Sequence, residues 1–210
     1  MPRIALIHAL RHSPPPIEAA FAELWPQARL MNLLDDSLSA DLARDGALTP
    51  AMTDRFLALA RYARDAGADA ILFTCSAFGP CIDAVKAAHP GLPVLKPNEA
   101  MIEEAEKRGG SIGLLATFAP TLQSMPPEFP STLNVVTKLA PGALAALDRG
   151  EGAEHDRLAT LAAKDLRGCE AIALAQFSLA RAAPSIVAAT GLPVLTTPHS
   201  AVRKLHRLLG

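Results

Sequence analysis

The sequence predicts an α/β fold of two pseudo-symmetric, doubly wound lobes, each a four-stranded parallel sheet flanked by helices. Three observations support this prediction. Apolar runs of strand length alternate with helical patterns along the 210 residues, the runs fall into two sets of four, and the second set repeats the first in sequence. Alternating strands and helices are typical of parallel sheets with crossover helices.

The predicted elements follow from apolar runs and from the residues that bound them. Strands are predicted at residues 4–9, 28–33, 70–75, 93–96, 111–116, 133–137, 171–176 and 193–196. Residues 14–16 are three prolines, which suit the first turn of a helix. Thr49 and Pro50 suit the N-cap and first turn of a later helix, which Gly67 would end.

An internal repeat is the most informative feature. The segment GADAILFTCSAFGPCIDAVKAAHPGLPVLKPN aligns with GCEAIALAQFSLARAAPSIVAATGLPVLTTPH, so that Gly67 pairs with Gly168 and the pentapeptide GLPVL recurs. RIALIHALRHSP pairs more loosely with SIGLLATFAPTL. Strands repeated in the same order indicate duplication of an α/β unit. The predicted lobes are residues 1–95 plus 198–210, and residues 96–197.

Composition excludes several classes of function. Half of the residues are hydrophobic, and 20 basic residues nearly cancel 21 acidic ones. The chain therefore has no basic surface for nucleic acid, and its apolar runs are too short to span a membrane. Three cysteines without paired spacing predict neither disulfides nor a zinc site. We expect a cytoplasmic protein without metal or cofactor.

The predicted symmetry places a candidate site. Parallel sheets bind ligands at the carboxyl ends of their strands, so the ends of equivalent strands should face each other across an interlobe cleft. These ends are Cys75 against Gln176, and His8 or Ala9 against Ala116 or Thr117.

Cys75 is the candidate catalytic residue. It opens the segment TCSAFGP, ahead of a helix expected to begin near Pro80. A helix N-terminus and neighbouring donors would favour its thiolate, which suits a base or nucleophile near neutral pH. The alternative is a small buried hydrophobe at a strand end. Cys81 and Cys169 are interpreted as packing residues.

The TCS element, the GLPVL strands and the repeated four-strand order resemble the aspartate/glutamate/hydantoin racemase superfamily, which works without pyridoxal phosphate. The resemblance covers essentially the whole chain. It implies two cysteines, one from each half, on opposite faces of the substrate's α-carbon. Cys75 matches the first, but Gln176 stands where the family has the second, and an amide is not a base. Ser178 or His199 would have to substitute, and neither matches the family motif.

The resemblance also implies substrate-binding positions and a homo-oligomer. Ser76 and Thr117 fall where the family grips a carboxylate. Further candidates on the same rims are the amide of Ala77, with Ser13 and Arg11 after the first strand and Thr197 and His199 after the last. For these residues, turn, cap or solvent-exposed roles are the alternatives.

Three functional hypotheses remain open. The first is a racemase or isomerase that moves a proton at the α-carbon of a small-molecule carboxylate, with Cys75 as acid/base. The second is a decarboxylase or lyase in which Cys75 alone protonates an enolate. Single-cysteine relatives such as arylmalonate decarboxylase carry the cysteine at the second position, so this chain would be the mirror arrangement. The third is a non-catalytic small-molecule binding protein.

Overall fold

A computed structural model describes residues 1–210, which form two compact units. Unit 1 comprises Met1–Pro97 with Ala201–Gly210, and unit 2 comprises Asn98–Ser200. Each unit contains one four-stranded parallel sheet flanked by helices. The predicted fold class is confirmed in this respect.

The sheet of unit 1 has the strand order β2-β1-β3-β4. Its strands are β1 (Arg3–His8), β2 (Arg29–Leu34), β3 (Ala70–Phe73) and β4 (Val94–Leu95). Its helices are α1 (Pro14–Leu24), α2 (Ser37–Asp45), α3 (Pro50–Asp65) and α4 (Gly79–Ala88). The central strands β1 and β3 are almost entirely buried, which explains why they read as continuous apolar runs.

Local signals set the helix boundaries in unit 1 as predicted. α1 begins at the first of three prolines, whose fixed φ suits a first turn. The Thr49 hydroxyl accepts a hydrogen bond from the Met52 amide at 3.3 Å and caps α3. Gly67, two residues past α3, has φ +80°, a conformation that glycine adopts without strain.

The sheet of unit 2 has the equivalent order β6-β5-β7-β8. Its strands are β5 (Ser111–Ala116), β6 (Asn134–Leu139), β7 (Ala171–Leu174) and β8 (Val194–Thr196). Its helices are α5 (Glu99–Arg108), α6 (Thr121–Ser124), α7 (Ala143–Asp148), α8 (Gly152–Ala163) and α9 (Ala183–Thr190). The last helix, α10 (Thr197–Leu209), begins in unit 2 and ends in unit 1.

The strand registers support the duplication. Ile4 of β1 pairs with Ala70 of β3, and Ile112 of β5 pairs with Ala171 of β7. The sequence alignment already matches Ile4 with Ile112 and places Ala70 over Ala171. The two sheets therefore repeat each other in strand order and in register.

The ends of β3 and β7 correct the predicted strands. Cys75 and Gln176 lie two residues beyond their strands instead of within them. Both keep an extended backbone, and each precedes a 3₁₀ turn, Ser76–Phe78 after Cys75 and Phe177–Ala182 after Gln176. β3 and β7 end where their pairing with β1 and β5 ends, at Phe73 and Leu174. Cys75 and Gln176 therefore still lie at equivalent positions, each two residues past the end of its strand.

Two further observations concern the chain as a whole. No helix combines the length and apolarity that crossing a bilayer requires. No group of three or more His, Cys, Asp or Glu side chains is arranged to hold a metal ion.

Candidate active site

The Cys75 thiol lies just past the carboxyl end of β3 and is half-buried. Its sulfur is hydrogen-bonded by the Ala77 backbone amide and by the Ser39 side chain. Ser39 belongs to α2, which buries Leu38 in the core of the unit and so presents the neighbouring hydroxyl at this edge. The amide of Ala77, which is predicted to bind substrate, hydrogen-bonds the Cys75 sulfur in the ligand-free chain.

The protonation state of Cys75 differs from the one predicted. Burial raises the pKa of the thiol to about 11, outweighing the opposite effects of Ala77 and Ser39. The prediction of a thiolate favoured near neutral pH is therefore wrong for the ligand-free chain. One physical reason is that α4 begins only at Gly79, four residues beyond Cys75. The dipole effect falls off within a turn of the helix end. At neutral pH Cys75 therefore carries its proton.

Ser39 links the thiol to the backbone. Its hydroxyl donates to the carbonyl oxygen of Ala9 at 2.8 Å, directly after β1. A hydroxyl has a single proton, so while it donates to Ala9 its oxygen can only accept from the Cys75 S–H. A Cys75 thiolate requires the Ser39 proton to turn from Ala9 towards sulfur. Sequence reasoning missed Ser39 because 36 residues separate it from Cys75.

Alkylation of Cys75 is expected to follow this raised pKa. The rate of iodoacetamide labelling should rise with pH to a midpoint near 11, against 9.0 for an ordinary cysteine. Mass spectrometry of the labelled peptides separates Cys75 from the buried Cys81 and Cys169. Ser39→Ala, which removes a donor to the thiolate, should move the midpoint higher. A midpoint at or below neutral pH would contradict this description of the thiol.

His8, at the end of β1, is buried and belongs to a chain of hydrogen bonds that runs outwards to exposed residues. Its Nδ1 is 2.8 Å from the Thr74 hydroxyl and its Nε2 is 2.9 Å from Oδ1 of Asn32, whose amide donates to Glu18 at 2.7 Å. An amide oxygen only accepts, so Nε2 carries the proton and Nδ1 accepts from Thr74. With both nitrogens engaged and 1% exposure, His8 positions Thr74, the residue before Cys75, and is closed to substrate.

The stability of the protein is expected to depend on pH through His8. Burial lowers the pKa of this imidazole, although Asn32 and Glu18 oppose the effect. The unfolded chain then binds a proton more readily below the ordinary histidine pKa of 6.5. The free energy of unfolding should therefore fall as the pH drops below about 6.5. Urea denaturation between pH 7.5 and 5 should show a smaller decrease for His8→Gln than for wild type or His89→Gln. Equal slopes in all three proteins would contradict the assignment.

The remaining unit 1 candidates have different surroundings. Ser76 is 6% exposed in the 3₁₀ turn after Cys75, and Ser13 is 3% exposed ahead of α1. Arg11 is predominantly solvent-exposed and forms an ion pair with Asp36. This ion pair occupies one edge of the guanidinium. The structure therefore places Ser76 beside the thiol and Arg11 on an exposed loop.

Gln176 and Thr117 meet at the carboxyl edge of the unit 2 sheet. The Thr117 amide donates to Gln176 Oε1 at 2.8 Å, and the Thr117 hydroxyl lies 3.4 Å from the same oxygen. Thr117 follows β5, the strand next to β7, so parallel neighbours bring the pair together. These predicted residues are thus joined directly.

The segment after β8 contains the last two candidates. Thr197 is fully buried as the first residue of α10, and its hydroxyl oxygen has no hydrogen-bond partner. A buried hydroxyl without a partner is costly, which makes it a place for a ligand oxygen or an ordered water. His199 Nδ1 lies 2.8 Å from the Thr196 hydroxyl, and the other possible base, Ser178, is 6% exposed.

The model of the Asp/Glu/Hydantoin racemase family matches residues 12–205. The chain belongs to this family, as the sequence resemblance predicts. No curated protein sequence matches the chain.

Solved structures show the same fold. Glutamate racemase from Francisella tularensis, in complex with D-glutamate, superposes with a TM-score of 0.74 at 17% identity, covering 99% of this chain and 81% of that one. Allantoin racemase from Klebsiella pneumoniae has a TM-score of 0.75 at 18% identity, covering 100% and 88%. A glycine-to-cysteine mutant of arylmalonate decarboxylase, in a sulfate-associated form, has a TM-score of 0.63 at 18% identity, covering 99% and 93%.

Proposed function

We propose that the chain is a cofactor-independent, racemase- or isomerase-type enzyme that transfers a proton at the α-carbon of a small carboxylate or amino-acid derivative. Cys75 is the acid/base. The observation that supports this role best is a half-buried thiol at the carboxyl edge of the unit 1 sheet, which is hydrogen-bonded to the Ser39 side chain and to the Ala77 amide. Sheets of this kind bind ligands at that edge.

The proposed substrate-binding roles follow from the charge that develops in the reaction. Proton loss at an α-carbon moves negative charge onto a carbonyl or carboxylate oxygen, and donors fixed in advance stabilise that charge. In the proposal, Ser76 and Thr117 hold the substrate carboxylate. The partnerless hydroxyl of Thr197 is a further donor. His199 is proposed to lie at the rim of the site. Its Nδ1 is already hydrogen-bonded with the Thr196 hydroxyl.

Two observations favour a second candidate, a decarboxylase or lyase that protonates one face only. Gln176 occupies the second-base position and cannot accept and return a proton, and Cys75 is protonated at neutral pH. In a decarboxylation the bond between the α-carbon and a carboxylate carbon breaks, and carbon dioxide leaves. The electron pair of that bond stays on the substrate, which becomes an enolate. The Cys75 S–H then protonates the α-carbon, and the thiolate recovers a proton from water.

Product analysis separates the candidates. Purified protein is incubated with aspartate, glutamate, allantoin and phenylmalonate, and the products are followed by chiral chromatography and by release of carbon dioxide. Interconversion of enantiomers favours the racemase, and one enantiomer with carbon dioxide favours the lyase. Binding without any conversion favours a binding protein and would contradict the proposal that the chain is an enzyme.

A further inference from the structure

The orientation of the Gln176 amide follows from its neighbours. Thr117 donates twice to one atom of the Gln176 side chain. Its backbone N–H lies 2.8 Å from that atom and its hydroxyl lies 3.4 Å from it. A backbone N–H can only donate, so the atom facing it must be the amide oxygen. The identity of Oε1 is therefore fixed by hydrogen-bonding chemistry.

The other end of the same amide is left available. Its Nε2 carries two protons and forms no hydrogen bond within the chain, and Gln176 is only partly buried. The equivalent place in unit 1 is occupied by the Cys75 thiol, since both residues lie two positions beyond equivalent strands. The duplicated fold thus presents an acid at one edge and a pair of N–H donors at the other.

We propose that Gln176 is a substrate-binding hydrogen-bond donor, which directs its Nε2 protons at a carboxylate or enolate oxygen where a two-base racemase would place its second acid/base. This inference rests on the proposed function for the identity of the ligand. Unlike a thiol, the amide does not titrate, so this contact persists across the working pH range. Thr117 acts as the positioning residue that fixes the rotamer.

A purely structural role for Gln176 makes different predictions. If the side chain only joins the ends of β5 and β7 through Thr117, its oxygen alone matters. Gln176→Glu keeps an oxygen for the Thr117 amide but replaces the N–H donors with a second oxygen. Gln176→Met has similar length and removes both functions. The two variants therefore separate a donor role from a structural one.

The test is binding of three probes, phenylmalonate, D-glutamate and sulfate, to the ¹⁵N-labelled full chain. The side-chain NH₂ signals of Gln176 are assigned by their loss in Gln176→Glu. We expect these signals to shift as a probe is added. Both variants should bind the probe about tenfold to a hundredfold more weakly, the range for one hydrogen bond to a charged group. Gln123→Glu, the same substitution at an exposed position of α6, should change the affinity much less.

Other results would overturn the inference. NH₂ signals that stay in place with all three probes, or a Gln176→Glu variant that binds as tightly as wild type, would assign Gln176 a structural role. Because binding is measured without turnover, the inference can hold for a protein that binds carboxylates and converts none. Its failure is thereby distinguishable from failure of the proposed enzymatic activity.

Discussion

Gln176→Cys is expected to raise the turnover number for racemisation by about 10²-fold or more. The substitution supplies an acid/base at the second position, and a positioned acid/base typically contributes 10² to 10⁴ in rate. The measurement is chiral chromatography with whichever panel compound exchanges its α-proton, at saturating concentration.

Gln176→Ser is the matched control for this prediction. Serine also lacks the Gln176 amide, so any weakening of binding is shared, but its hydroxyl does not serve as an acid/base near neutral pH. Only the cysteine variant should gain racemisation. Equal rates in the two variants would contradict the prediction that an acid/base at position 176 supports racemisation.

Phe56→Ala is expected to lower the free energy of unfolding by about 3–5 kcal/mol, the usual cost of emptying a phenylalanine site in a core. Phe56 is 2% exposed, and its ring centroid lies 5.0 Å from those of both Phe73 and Phe78. These two rings stand on either side of Cys75 in the sequence. The cavity would therefore form beneath the segment that holds the thiol, so loss of activity should accompany loss of stability.

Tyr62→Ala is the control for Phe56→Ala. Tyr62 lies on the same helix, α3, but is 61% exposed. Its replacement should change the stability by no more than about 0.5 kcal/mol. Urea denaturation measures both variants. A Phe56→Ala protein as stable as Tyr62→Ala would show that the three rings do not form a cooperative core.

The fold could be predicted because its signals are local or repeated. β1 and β3 are buried on both faces, so they read as apolar runs, and prolines and glycines mark the helix ends. The repeat then placed Gln176 opposite Cys75 in the alignment, and the structure places both at equivalent strand ends. Both strands end two residues earlier than predicted, because residue type alone does not show where strand pairing stops.

The chemical state of the site could not be predicted because it depends on contacts distant in sequence. The hydroxyl of Ser39 reaches Cys75 only after α2 has packed. The pKa of Cys75 rises because the surrounding chain removes water, an effect that residue type and spacing do not encode. The hydrogen bond from the Ala77 amide to the sulfur could not be predicted, because it depends on the 3₁₀ turn.

The most direct test of Cys75 as the proton-transferring group is deuterium incorporation at the α-carbon. Wild type, Cys75→Ala and Cys81→Ala are incubated in D₂O with aspartate, glutamate, allantoin and phenylmalonate, and the α-proton signal is followed by NMR. We predict incorporation by wild type and Cys81→Ala, and a loss of about 10²- to 10⁴-fold in Cys75→Ala. Undiminished incorporation by Cys75→Ala, or none by wild type with any compound, would contradict the proposed role of Cys75.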